Sequence, residues 1–168
     1  MGTGLPALTR LLFVVLVGVC ACTGGGSAGS TSPGHGCRSG PPLAGVWSPD
    51  RLQVLSACKH VTGIVAVTQP EPDGDHHIWF RVDPGYEYLL NPESHFQAKP
   101  ALLAEITPDC PLANNPPNAE SADRCPRSTL PLPRTGDHVA IDGPWVLDTE
   151  HGWNEIHPVE SIQILGHA

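Results

Sequence analysis

Apolar positions along this chain fall into two patterns. From Leu11 to Val19 they form one continuous run; from Leu43 onward they come in short segments separated by turn signals. The run is too short for a permanent bilayer-spanning helix, which needs roughly 20 residues. With Arg10 ahead of it, its length and flanks fit a removed signal peptide. In the second region, Ser48-Pro49-Asp50 offers a capping hydroxyl, proline at the first helical position and an acid in the first turn. Leu52, Leu55 and either Val54 or Cys58 supply an apolar stripe, so a short helix is predicted over 49–58. His60 to Thr68 is rich in β-branched residues and predicts a strand. Pro70 to Asp75 contains the turn sequence Pro-Asp-Gly-Asp, and Ile78, Phe80 and Val82 then alternate on one face of a second strand. The two predict a hairpin with a loop longer than two residues. Ala101–Ile106 predicts a third strand and Gly136–Gly143 a fourth, continued by Trp145–Asp148 after a break at Gly143-Pro144. Trp153–Leu165 predicts a last strand bent near Pro158, while Tyr86–Phe96 fits a loop, a short strand or a helical turn.

Composition narrows the class. Proline and glycine number 19 and 18, which predicts many turns and little helix. The chain has 9 basic and 17 acidic residues, and loss of residues 1–21 with Arg10 takes the net charge from −8 to −9. Such a surface repels phosphate backbones, so nucleic acid is not an expected partner. Four cysteines follow Cys22, and an even number in an exported chain predicts two disulfides. Of the three connectivities, Cys37–Cys58 and Cys110–Cys125 are favoured: the first pins the incoming tail, the second closes a Pro-rich excursion. The spacings lack the Cys-x-x-Cys knuckle of a structural zinc site. Residues 107–134 hold seven prolines and predict a long disulfide-closed loop.

The densest polar constellation is His151-Gly152-Trp153-Asn154-Glu155-Ile156-His157-Pro158-Val159. On an extended strand Trp153, Glu155 and His157 share one face and Ile156 points to the other. Glu155 and His157 could hold a metal together, or the carboxylate could orient the imidazole for acid–base work. The structural alternative is a buried Glu or His hydrogen-bonded to a neighbouring loop. A second constellation, Asp73-Gly74-Asp75-His76-His77, starts like a calcium loop but lacks its downstream acids, so a turn closed by Asp side chains is the simpler account. His77, Trp79 and Arg81 would face outward. If the second and last strands approach each other, Asp75, His77, Glu155 and His157 converge. The candidate metal ligands are therefore Asp73, Asp75, His77, Glu155 and His157, and the candidate ligand contacts Trp79, Arg81, His151 and Trp153. Otherwise no cofactor is expected. No phosphate loop or paired-cysteine redox motif occurs.

Three resemblances extend this reading. Val19-Cys20-Ala21-Cys22 after an apolar run resembles the bacterial lipobox, with Cys20 an unusual occupant of its middle position. It implies cleavage before Cys22, acylation of Cys22, and a membrane-tethered extracytoplasmic protein; the alternatives are ordinary cleavage after Ala21 or later with a free secreted product, and an uncleaved anchor. Residues 22–42 would form a lipidated cysteine and flexible Gly/Ser/Pro tether, and 43–168 a single domain. The pattern Gly136-Asp137-x-Val139-x-Ile141-x-Gly143 is similar to the fourth strand of OB-fold barrels. That implies a mainly β, five-stranded OB-like barrel with the short N-terminal helix, a small β-sandwich being the alternative. The stretches Val61–Val82 and Gly136–Ile162, with the closing His-x-Trp-x-Glu-Ile-His-Pro-Val, resemble a group of bacterial exported and membrane-associated proteins without an established activity. A shared fold follows from that resemblance more than a function. The expected role is a binding or structural module for a small ligand or envelope protein, with a metal-dependent hydrolase as the alternative.

Overall fold

A strand replaces the helix expected over 49–58. The computed structural model, which describes residues 1–2, 36–108 and 128–167, gives Pro49–Arg51 a single 3₁₀ turn and then extended backbone from Leu52. Ser48 adopts a left-handed conformation (φ 52°, ψ 50°) and makes no capping bond. A ten-residue helix is marginal on its own, whereas the strand finds a partner far along the chain: Leu52, Gln53 and Val54 pair with Asp148, Leu147 and Val146. Arg51 adds an ion pair to Asp148, and the Thr149 N–H donates to the Arg51 carbonyl at 2.9 Å. The signal segment, Cys22, the tether to residue 35, and Cys110 and Cys125 with most of their loop lie outside the described residues.

Among the described residues eight strands follow in order: β1 (Leu52–Pro70), β2 (His76–Val82), β3 (His95–Phe96), β4 (Lys99–Pro100), β5 (Leu102–Ile106), β6 (Asp137–Asp148), β7 (Asn154–Ile156) and β8 (Ser161–His167). β3 and β4 form a small separate hairpin. The main sheet runs β1-β2-β5-β7-β6-β8, and β1 also pairs with β6, so the first five of these close into a ring. All pairings are antiparallel except β5 with β7. Closure depends on β1. Its residues from Leu52 to Ile64 pair with β6, and those from Gly63 to Pro70 pair with β2. At the crossover a Cβ on Gly63 would overlap the Arg81 carbonyl and the Phe80 ring, so the close approach requires glycine.

β6 is unbroken through Gly143-Pro144, contrary to expectation. Gly143 lies against the Pro158 carbonyl, where a side chain would not fit, and the Pro144 carbonyl accepts the His157 N–H at 3.0 Å. The last predicted strand is two: β7 ends before Pro158, and β8 resumes farther along the same edge of β6, the edge opposite β1.

The ring interior holds Val61, Val65, Ile78, Phe80, Leu102, Ala104, Val139, Ile141 and Ile156, each at most 1% exposed. Leu89, on a second 3₁₀ turn (Glu87–Leu89), adds its buried side chain. The Trp145 indole and the Asn154 amide both donate to its carbonyl, at 3.1 and 2.9 Å. Cys37 and Cys58 are bonded, and Arg38 binds Glu160 through its backbone N–H (2.7 Å) and guanidinium (3.2 Å). A cross-link over 21 residues contributes about 3 kcal/mol in the chain-entropy picture.

Candidate functional site

The strand pleat sends alternate residues of β2, β5 and β7 away from the core, and those residues build a second layer on the outside of the ring. From β2 it receives His77 and Trp79, from β5 Leu103 and Glu105, and from β7 Glu155, flanked by Trp153 and His157. Register brings them together. His77 is directly opposite Glu105, so their side chains are cross-strand neighbours. Leu103 is opposite Glu155 in the parallel pair, which carries Glu105 alongside residue 157. The Val159 N–H completes the attachment by donating to the Glu105 carbonyl at 2.8 Å.

Glu105 is the hub. One carboxylate oxygen lies 3.0 Å from His77 Nε2, the other 2.8 Å from His157 Nδ1. His157 Nδ1 also lies 3.0 Å from Glu155 Oε1, and the second Glu155 oxygen accepts the Trp153 indole N–H at 2.9 Å. His157 is 1% exposed, Glu105 3% and Glu155 0%, so the water-depleted cluster carries its own charges. His77 Nδ1 faces Glu71 at 3.4 Å. Asp75 enters from the β1–β2 turn, where its N–H is held by the Asp73 carboxylate at 3.1 Å and its carbonyl by the Glu71 N–H at 2.8 Å. One carboxylate oxygen each from Asp75 and Glu105 and one nitrogen of His157 lie within 4.8 Å of one another.

The electrostatics follow from burial and crowding. Burial, reinforced by the Asp73 charge, pushes the Asp75 carboxyl up to about 7. Burial alone would push the His157 imidazolium down, but the charge of Glu105 and the bonds to Glu105 and Glu155 hold it at about 10. Burial would raise Glu105, yet His157 and His77 keep its carboxyl well below the usual carboxylate range. Glu155 is raised, by burial first and the neighbouring Glu105 charge next. His77 is raised by Glu105 against the opposing effect of burial.

An aromatic wall lies beside the cluster. Trp79 packs with Ala101 and Leu103, stacks on Phe96 (5.8 Å) and meets Trp153 edge-on (5.4 Å). His151 stacks on Trp153 at 4.5 Å and is steered by Asp148, whose Oδ2 lies 2.8 Å from His151 Nδ1.

Asp75, His77, Glu155 and His157 lie in one cluster, although β2 and β7 are not neighbours: β5 runs between them, and its Glu105 links His77 to His157. Asp73 supports the turn rather than entering the cluster. Trp153 is half-buried and His151 exposed at its margin, Trp79 is buried in the wall, and Arg81 is exposed farther along β2. Glu105 was not among the expected site residues, although a lone acid within the apolar run Ala101–Ile106, out of phase with Leu102, Ala104 and Ile106, signals it. The chain matches no protein-family model, and no curated protein or solved structure matches it at a significant level.

Proposed function

We propose that this chain is an exported, lipid-anchored binding module. Cys22 is its acylated first residue and residues 22–42 its tether. Its domain is an OB-like five-stranded barrel, and the strand order β1-β2-β5-β7-β6 with a parallel β5–β7 pair supports that architecture. The binding site is the outer-face cluster of Asp75, His77, Glu105, Glu155 and His157, and the tether holds it facing the extracytoplasmic side of the membrane.

One observation carries the binding reading: five ionisable side chains, from β2 and the turn before it, from β5, and from β7 and the residue after it, gather on the face turned away from the ring interior. Burying charges costs several kcal/mol each, and apolar replacements of buried ion pairs are often neutral or stabilising. Their burial does not add to net stability, and a bound ligand would account for so many charges gathered in one place. Metal-dependent hydrolysis is the weaker reading, because the sealed His157 and Glu155 leave a substrate little room to approach.

Native mass spectrometry of protein extracted from its host's membranes tests this reading. The expected mass is that of the chain from Cys22, plus acyl groups, plus a bound species. Glu155→Gln/His157→Gln protein should keep the acyl groups and lose the bound species, and Cys22→Ala protein should move to the soluble fraction. An unacylated wild-type chain overturns the anchor. A wild-type chain with no bound species overturns the binding module.

A further inference from the structure

We infer that Asp75, Glu105 and His157 coordinate one divalent first-row transition-metal ion, zinc or manganese, as the species held by the outer-face cluster. The inference rests on the reading of that cluster as a binding site and names what it takes.

Two independent observations carry it. The first is convergence: one donor atom from each residue lies within 4.8 Å of the other two, brought together from the β1–β2 turn, from β5 and from the residue after β7. The second is His157 itself. It is 1% exposed, and its Nδ1 faces two carboxylates, Glu105 and Glu155, while its Nε2 is buried without any hydrogen-bond partner. A histidine kept only for structure uses both ring nitrogens when buried. A metal-binding histidine instead gives one N–H to a carboxylate, which fixes tautomer and ring orientation, and leaves the other nitrogen for the ion. Glu155, itself anchored by the Trp153 indole, supplies that orienting carboxylate, and Glu105, 2.8 Å from the same nitrogen in the metal-free site, would turn toward the ion as it binds.

Charge balance points the same way. Glu71, Asp73, Asp75, Glu105 and Glu155 crowd one region, and His77 and His157 form ion pairs with Glu71, Glu105 and Glu155. A dication would offset that crowding of carboxylates at the place where the donors meet. The donor set selects the ion: calcium takes six to eight oxygens, whereas one imidazole with two carboxylates suits zinc, or manganese where oxygen donors dominate.

The test uses the full chain, stripped with chelator and dialysed to equilibrium against Zn²⁺ or Mn²⁺, with bound metal quantified by elemental mass spectrometry. Wild type should take up one equivalent of at least one ion, and that ion should raise its thermal midpoint by mass action. Asp75→Asn, a near-isosteric change at a half-buried turn position, should weaken binding by at least the ~10–100-fold that loss of a partner one hydrogen bond from a metal costs. It should also abolish the thermal shift; His157→Gln should do the same, while His138→Gln, at the separate pair with Asp83, should change neither. No stoichiometric uptake of either ion by wild type overturns the inference, as does uptake unchanged in Asp75→Asn. A bound species of different mass, lost from the Glu155→Gln/His157→Gln protein, would leave the binding module standing and sink the metal alone.

Discussion

Glu105→Ala should destabilise the metal-free protein by roughly 3–5 kcal/mol, the cost of removing one partner from a buried ion pair. Glu105 touches two imidazoles, and the alanine would leave His157 facing only Glu155, whose own carboxyl is raised by burial. Single domains are stable by only about 5–15 kcal/mol, so this one change threatens the fold. Replacing the whole group, as Glu105→Leu/Glu155→Met/His157→Leu, should instead leave stability within ~2 kcal/mol of wild type or above it, because no charge remains unpaired. Urea denaturation of the two variants checks the contrast. A Glu105→Ala protein within ~1 kcal/mol of wild type would show that the carboxylate does not hold His157.

Metal-free protein should be most stable near pH 4–5 and lose stability toward neutrality, on the acid side of the usual maximum at about pH 5–8. Asp75 releases its proton near 3.8 when unfolded and near 7 when folded, so between those values the unfolded chain binds fewer protons and stability falls as pH rises. About 3 units at 1.36 kcal/mol each set a ceiling of roughly 4 kcal/mol, which solvent access to half-buried Asp75 reduces. Glu155, also raised, acts in the same direction. The His157 contribution is complete below 6.5 and is lost as pH climbs from there through about 10, and raised His77 follows the same sign. Glu105 opposes them: its depressed carboxyl stabilises the fold above 4.5, and that contribution is lost as pH falls toward its folded value. Urea midpoints at pH 4.5 and 7.5 in the presence of chelator measure the difference. Asp75→Asn should flatten the slope, and a wild-type midpoint higher at pH 7.5 would contradict the charge assignment.

The period of two carried most of what sequence could deliver. It placed Ile78 and Phe80 on the face opposite His77 and Trp79, and Ile156 opposite Glu155 and His157, and the structure keeps those faces. It could not say which strands are neighbours, because β5 and β7, which pair Leu103 with Glu155, are separated by residues 107–153. Glu105, which links His77 to His157, therefore stood out only as an acid among apolar residues. The helix expected at 49–58 had sound local signals, but its backbone partners, Val146–Asp148, lie almost a hundred residues away. The Gly143-Pro144 pair reads as a strand break in isolation. Folded, it is a place where two segments approach too closely for a side chain.

The alternation along β7 also guards folding fidelity. Glu155 and Ile156 are adjacent, one in the polar layer and one in the ring interior. A slip by one residue would exchange them, pushing a carboxylate among Phe80, Ile141 and Val139 while stranding an isoleucine between charged groups. Short strands are the ones most free to mispair, and β7 has three residues. In this protein the misaligned product suffers on both faces at once, so the buried polar cluster rejects wrong versions of the sheet.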